Sequence, residues 1–157
     1  MNSEINRMVK QYCGFKIGGD HFAIPVLNVQ EVIKYQSVTP IPLSQDYIRG
    51  LINLRGQIVT LISLRKLFGY KEVEKEEGMN IIVRAKDGLY SLVVDEVTDI
   101  IDVHDDAIEP APETLSPQLI DYVDNVFKFE KGLLVLLKIQ AMLDFKIIEK
   151  CETENTL

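Results

Sequence analysis

The sequence lacks tryptophan and has only two cysteines, Cys13 and Cys151, among its 157 residues. The two cysteines do not have the spacing of metal ligands and cannot form a disulfide framework, which favours a reducing compartment such as the cytosol. No uninterrupted apolar run reaches the roughly 18 residues needed to span a bilayer, and the amino terminus lacks the apolar core of a signal peptide. These absences predict a protein that is neither secreted nor inserted into a membrane.

Basic residues are missing from one long stretch of the chain. Residues 87–127 contain eleven Asp or Glu and no Lys or Arg. Residues 1–70 carry eight basic and four acidic residues, near +4, whereas residues 71–157 carry nine and twenty, near −11. This charge pattern argues against DNA or RNA as a partner, because the basic footprint of a nucleic-acid binder is absent. The acidic stretch fits either a solvated face or a docking face for a basic partner.

The chain nearly repeats itself, with the second copy in its latter half. Residues 22–33 (FAIPVLNVQEVI) align with residues 90–101 (YSLVVDEVTDII), identical or chemically similar at eight of twelve positions. Farther on the offset is larger, and residues 61–64 align with residues 136–139. The repeat predicts one small β unit used twice, with a groove between the copies that suits docking. The alternative is that two amphipathic hairpins share only a binary pattern.

Turn signals divide the chain into short strands. Gly18-Gly19, Arg55-Gly56 and Asp87-Gly88 each predict a tight hairpin between apolar runs. Pro25 interrupts a strand and predicts an edge position or a bulge, because proline cannot donate to a β ladder. Residues 39–42 (TPIP) predict an extended connection, since each proline keeps its predecessor out of helical angles.

Helical patterns are short. One turn of helix is predicted where Leu64, Leu67 and Phe68 share a face, and Gly69 ends it. A final helix is predicted from apolar residues at helical spacing, namely Ile139, Met142, Leu143 and Ile147. The charged residues 71–78 (KEVEKEEG) predict the connector between the two units.

Several motifs resemble those of the CheW family of bacterial chemotaxis adaptors. They are Gln30-Glu31-Val32-Ile33, Pro40-Ile41-Pro42, residues 47–59 (YIRGLINLRGQIV), Leu64-Arg65 and Phe68-Gly69. The second half agrees in residues 93–97 (VVDEV) and 108–112 (IEPAP). Their order and spacing match the family over about residues 11–146, and Asn53-Leu54-Arg55-Gly56 within its flanks is the most specific part. The chain is identified by this resemblance as a member of the family.

The resemblance implies an all-β fold of two SH3-like, five-stranded β-barrel subdomains packed together, with a short C-terminal helix. The CheW-like domain would span residues 9–149, with flexible termini at 1–8 and 150–157. Subdomain 1 would cover about residues 11–70 plus the C-terminal helix region, and subdomain 2 about residues 79–138.

The resemblance also implies an adaptor without catalytic activity, cofactor or metal. Its partners would be the cytoplasmic tips of chemoreceptors and the regulatory domain of the histidine kinase CheA. Neither nucleic acid nor direct membrane insertion is expected, and the protein would be cytoplasmic and recruited to membrane receptor arrays. A paralogue that serves a non-flagellar pathway is the alternative within the family.

Five residues fall near the receptor contact by resemblance, namely Val29, Glu31, Gly50, Arg55 and Ile81. Val29 and Ile81 would offer apolar surface, or else belong to the core. Glu31 and Arg55 would orient the partner through charge-assisted hydrogen bonds, or else pair with each other. Gly50 would permit a close backbone approach, or else serve only a turn.

Three residues of the second unit are candidates for the kinase contact, namely Val93, Val94 and Asp99. The reason is that an exposed strand edge of one such unit can be covered by a similar unit. Burial within their own barrel is the alternative for the two valines.

An enzyme is the hypothesis from a different class. Asp95-Glu96 and Asp105-Asp106 could be imagined as acid and base, but adjacent strand residues point to opposite faces. A cation site at His104, Asp102 and the neighbouring aspartates is conceivable, although nothing in the spacing fixes the carboxylates in one coordination shell. No nucleophile motif or phosphate-binding loop supports either hypothesis.

Overall fold

The computed structural model describes residues 9–73 and 78–144. Within them the strands, in chain order, are β1 (Val9–Ile17), β2 (Asp20–Pro25), β3 (Val29–Lys34), β4 (Ile48–Leu54), β5 (Gln57–Ser63), β6 (Met79–Ala85), β7 (Gly88–Val94), β8 (Glu96–His104), β9 (Ile108–Glu109), β10 (Val123–Phe129) and β11 (Gly132–Leu137). The helices are α1 (Leu64–Leu67), α2 (Pro117–Ile120) and α3 (Ile139–Leu143), and two single turns of 3-10 helix cover Val26–Asn28 and Asp105–Ala107.

The strands form two sheets. Sheet A has the order β8-β1-β2-β11-β10-β9, and sheet B has the order β3-β6-β7-β5-β4. Most neighbours are antiparallel, but β11 is parallel to β2 and β5 is parallel to β7. The all-β class with short helices and two SH3-like units of about five strands is therefore confirmed, although the sheets are curled rather than fully closed barrels.

The repeat has a clear structural counterpart. The strands β1 to β5 of the first copy correspond, in order, to β6, β7, β8, β10 and β11 of the second copy. When each strand of sheet B is replaced by its counterpart in the other copy, the result is the order of sheet A from β8 to β10. Details match as well: the Ser63 amide donates to the Tyr47 carbonyl at 2.7 Å, and its counterpart, the Lys138 amide, donates to the Tyr122 carbonyl at 2.8 Å. Each copy therefore contributes its first hairpin to the sheet that holds the rest of the other copy.

The predicted subdomain boundaries do not coincide with the sheets. The strands of sheet B form one continuous segment, residues 29–94, whereas sheet A combines residues 9–25 with residues 96–137. A division at the connector, residues 71–78, would separate strands of both sheets. The physical reason is the exchange of the first hairpins, which pair across that boundary. The predicted flexible termini lie outside the described residues.

Apolar side chains fill three clusters. The largest lies between the sheets and contains Phe15 and Phe22 from sheet A, Ile62 and Leu92 from sheet B, and Met142 from α3. A smaller cluster lies on the opposite face of each sheet; one includes Leu134 and Leu136, and the other includes Val59, Leu61 and Ile82. Burial of this apolar surface is the main force that holds the sheets together.

One edge of each sheet is covered by a short bridging segment. In sheet B, Thr39 pairs with Leu51 of β4; the Thr39 amide donates to the Leu51 carbonyl at 2.9 Å, and the Leu51 amide donates to the Thr39 carbonyl at 2.8 Å. In sheet A, β9 pairs with β10 at the equivalent place. Residues 39–42 contain no helix, as predicted.

The local predictions have mixed outcomes. The three hairpins form at Gly18-Gly19, at Arg55-Gly56 and at residues 86–87, the last of them one residue before the predicted Asp87-Gly88 turn, because Gly88 begins β7 and pairs with Ala85. The edge position predicted for Pro25 is wrong, because β2 lies inside sheet A; Pro25 is the last residue of β2, beyond the point where β11 pairs with it. Helix α1 forms with Ser63 as its N-cap, and α3 forms from Ile139, but Ile147 lies outside the described residues.

Candidate functional site

The turn between β4 and β5 is built by its own sequence. Arg55 and Gly56 both have positive φ angles, 50° and 85°, as the favoured two-residue hairpin turns require. The side-chain oxygen of Asn53 accepts a hydrogen bond from the Gly56 amide at 2.9 Å. This bond and the glycine fix the turn, so that the Arg55 side chain is held at the end of the hairpin.

Arg55 and Glu31 form a bidentate ion pair. Arg55 Nη1 donates to Glu31 Oε1 at 2.6 Å, and Nη2 donates to Oε2 at 2.7 Å. The arginine side chain is 68% exposed and the glutamate side chain 24% exposed. The hydrogen bonds from Arg55 lower the pKa of Glu31, and the same bonds raise the pKa of Arg55. The predicted alternative, that the two residues pair with each other, is what the structure shows.

The ion pair joins the two outer strands of sheet B. Glu31 lies on β3 and Arg55 follows β4, and these strands are four positions apart in the sheet. In a flat sheet the two strands would be about 19 Å apart at the usual spacing. Because the side chains meet directly, the sheet is strongly curled, and the pair lies across the gap between its edges.

Val29 and Glu31 do not share a face of the sheet. A bulge interrupts the pairing of β3 with β6 between them, so that Val29 lies opposite Val83 and Glu31 lies opposite Ile82. Val83 belongs to the central cluster and Ile82 to the smaller cluster of sheet B. Val29 is accordingly half-buried against the central cluster, on the other side of the sheet from the ion pair.

Gly50 and Ile81 lie in the interior. Ile81 is fully buried in the central cluster, so the expectation that its side chain offers apolar surface is wrong. Gly50 is buried beneath the bridging segment, and a Cβ atom there would lie 2.2 Å from the Thr39 carbonyl oxygen. The close backbone approach that was expected at Gly50 is therefore made to Thr39 of the same chain. Strand periodicity could not distinguish these positions, because β6 is apolar on both faces.

The three candidates for the kinase contact lie in different environments. Val93 and Val94 are buried on opposite faces of sheet B, in the smaller cluster and the central cluster. The side chains of these valines are therefore not accessible to a partner, in agreement with the alternative that they are buried within their own unit. Asp99 is exposed on β8, the outer strand of sheet A, with its carboxylate 4.0 Å from Lys131 Nζ.

Among the acidic residues considered for catalysis, Asp95 has structural partners. Asp95 pairs with Arg65 and accepts a hydrogen bond from the Gly18 amide at 2.8 Å, and it lies where the chain passes from sheet B to sheet A. Its carboxylate thus holds the crossing in place. In the part of the chain that the structure describes, no group of three or more His, Cys, Asp or Glu residues is placed to hold a metal ion. Across residues 9–73 and 78–144, no helix has the length and apolar character required to cross a membrane.

One exposed feature near β3 was missed by the sequence analysis. Leu27, in the 3-10 turn that leads into β3, is 98% exposed. It borders a shallow depression of about 210 Å³ with Val29, Gln30 and Arg84, and Arg84 Nη2 donates to Gln30 Oε1 at 2.6 Å. The sequence has apolar residues between Pro25 and Asn28, but it does not reveal which of them is exposed on the turn.

Two curled sheets of SH3-like character, packed through a shared core, define the structural class. Within that class, a family model described as the CheW-like domain matches residues 11–146. The chain is 35% identical over 141 residues to the chemotaxis protein CheW of Helicobacter pylori, covering 89% of this chain and 85% of that protein. It is 36% identical over 131 residues to CheW of Bacillus subtilis, covering 83% and 84%.

A solved structure agrees with this relationship. The crystal structure of the scaffolding protein TtCheW from Thermoanaerobacter tengcongensis superimposes with a TM-score of 0.75 at 30% identity, covering 84% of this chain and 90% of that one. The chain belongs to the CheW-like domain family.

Proposed function

We propose that the protein is a non-enzymatic chemotaxis adaptor that couples chemoreceptors to the histidine kinase CheA. The observation that carries the proposal is family membership across residues 11–146, which includes both sheets. The relatives are named chemotaxis proteins and the solved neighbour is titled a scaffolding protein. The protein would act in the cytoplasm and be recruited to receptor arrays at the membrane.

The receptor contact is proposed to be centred on the Glu31–Arg55 pair and the adjacent surface of β3. The pair is accessible because the arginine is two-thirds exposed, and a bidentate arginine holds its carboxylate partner in a defined orientation. Exposed Leu27 would supply apolar contact where β3 begins, and half-buried Val29 would add to it from the other side of the sheet. Gly50 and Ile81 would support this surface from inside without touching the partner.

The kinase contact is proposed to include Asp99 and the edge of sheet A. β8 is an outer strand, and outer strands present backbone groups that a similar domain can cover. Val93 and Val94 would contribute only through the stability of sheet B. The receptor and kinase surfaces would thus lie on different sheets, which permits simultaneous binding.

The first test reverses one charge of the pair. Arg55→Glu is expected to weaken co-sedimentation with receptor cytoplasmic tips by about tenfold or more, since an oriented charged contact is reversed. Binding to the isolated kinase regulatory domain should be unchanged, because that contact is on sheet A. Lys71→Glu, at an exposed site after α1 and away from β3, makes the same charge change outside the proposed contact and should bind receptors almost normally.

A second variant distinguishes two roles for the pair. Glu31→Arg combined with Arg55→Glu restores an ion pair with reversed polarity. If the pair only closes sheet B, receptor binding should return; if it presents charge to the receptor, binding should stay weak. Unchanged receptor binding in Arg55→Glu would contradict the site, and failure of the native protein to bind both receptor tips and kinase would contradict the adaptor function.

The low pKa of Glu31 gives the pair a defined pH range. Because the folded-state pKa is lower than the ordinary value, the contribution of the pair to stability is present above the unfolded-state pKa. It is lost as the pH falls through the lowered pKa. The pair should therefore be intact at neutral pH, and receptor binding measured there should not change through titration of Glu31.

A further inference from the structure

Sheet A has an open slot where sheet B has its bidentate ion pair. The slot lies between residues 98–102 of β8 and residues 127–131 at the β10–β11 turn, and His21 of β2 is also part of its lining. Its volume is about 620 Å³. It occupies the gap between the two edges of the curled sheet, the same gap that Glu31 and Arg55 bridge in sheet B.

The repeat relates the two places residue by residue. Asp99 aligns with Glu31 in the first pair of repeated blocks, and turn residues 130–131 align with Arg55 and Gly56 at the larger, later offset. In sheet A, however, Asp99 meets Lys131 at only 4.0 Å, with the two side chains 78% and 51% exposed. An exposed pair of this kind contributes little. The edges of sheet A are therefore not held together as the edges of sheet B are.

The walls of the slot carry a definite chemistry. Among the lining residues, three carboxylates, those of Asp99, Asp102 and Glu130, face a single ammonium group from Lys131. Apolar surface is provided by Ile100, which is 56% exposed, and by the half-buried rings of Phe127 and Phe129. Such a surface complements a ligand that carries positive charge and apolar side chains together.

The backbone supplies a third element. β8 is the outermost strand of sheet A on this side, so its outer edge has main-chain groups that can pair with an added strand. A bulge in the pairing of β8 with β1 falls at residues 98–99, and bulges of this kind redirect side chains at sheet edges. Asp99, which lies at this bulge, is one of the residues that line the slot.

We propose that this slot binds an extended, basic segment of a partner protein. The segment would lie along β8 and add a strand to sheet A, with apolar side chains on the face of Ile101 and Phe127 and with Lys or Arg on the alternate face, paired to Asp102 and Glu130. The inference rests on the slot and not on the identity of the receptor or kinase. Because Asp99 and β8 are also part of the proposed kinase contact, a bound segment would compete with the kinase regulatory domain for this edge.

The test uses the purified full-length chain and a fluorescein-labelled peptide of alternating valine and lysine, measured by fluorescence anisotropy at low salt. Asp102→Lys combined with Glu130→Lys is expected to weaken binding by about tenfold or more, since two facing charges are reversed. The matched control is Asp46→Lys combined with Glu113→Lys. It gives the same net charge at exposed positions outside the slot and should bind almost as the native protein does.

Two further measurements separate the slot from general attraction to an acidic protein. Peptide binding should slow amide hydrogen exchange in residues 97–103 of β8, and a peptide of alternating valine and glutamate should not bind. The proposal is overturned if both double variants lose affinity equally, if the exchange of β8 is unaffected, or if the basic peptide fails to bind at low salt.

Discussion

Gly50→Ala is expected to lower the free energy of unfolding by about 2–5 kcal/mol, through backbone strain and a steric clash. Gly50 has a φ of 141°, which residues with a side chain rarely adopt. The new Cβ would lie 2.2 Å from the Thr39 carbonyl oxygen and 2.7 Å from Val38 Cγ1. The bridge between Thr39 and Leu51 would have to move, and sheet B would lose the contact that covers its edge.

Gly88 provides a matched control for this substitution. Its φ is 143°, but a Cβ there would have no heavy atom within 4 Å. Gly88→Ala should therefore cost only the strain, about 1–3 kcal/mol. Thermal and urea unfolding of both variants give the comparison, at roughly 2–4 °C of Tm per kcal/mol for a chain of this size. Equal losses would mean that the bridge over Gly50 is not tightly packed.

Phe22→Ala is expected to have the other large effect, a loss of about 3–5 kcal/mol from the cavity and the lost transfer free energy. Phe22 is fully buried in the central cluster. Its ring lies 5.9 Å from the ring of Phe15 and 5.3 Å from that of Phe68, measured between centroids. Phe68 follows the helix that leaves sheet B, so the cavity would open between the two sheets.

The measurement for Phe22 should include a separate probe on each sheet. Because the central cluster is shared, amide exchange in β7 and in β11 should accelerate together in Phe22→Ala. Phe129→Ala is the control, since Phe129 packs on the smaller cluster of sheet A and is only partly buried; its cost should be roughly half or less, in proportion to buried apolar area. Acceleration confined to sheet A in Phe22→Ala would contradict the shared core.

The hairpins and the β class could be predicted because their signals are local. Gly18-Gly19 and Arg55-Gly56 determine turns through their own backbone preferences, and these need no knowledge of the remaining chain. The duplication was also readable, since both copies retain the same apolar positions. What could not be read is which sheet each hairpin joins, because the hairpins β1–β2 and β6–β7 have nearly equivalent patterns.

The geometry around the candidate residues could be predicted only in part, for related reasons. Glu31 and Arg55 are distant in the sequence, and their contact depends on the curl of a whole sheet rather than on spacing. Ile81 and Val29 are both apolar strand residues, and only the packing of β6 inside sheet B makes the first inaccessible. The bulge after Val29 reverses the face on which the following residues lie, and the sequence has no clear signal for it.

The continuity of residues 29–94 has a consequence for how such proteins diversify. The segment that forms sheet B is connected to the rest of the chain at two points, the 3-10 turn at Val26–Asn28 and the crossing at Asp95. A recombination event that replaced this segment would exchange the entire surface around Glu31 and Arg55 as one cassette. Such a chimera would have to preserve the central apolar packing and the contacts between the sheets, among them Arg65–Asp95 and Tyr70–Asp20, while the exposed surface of the other sheet would be inherited unchanged.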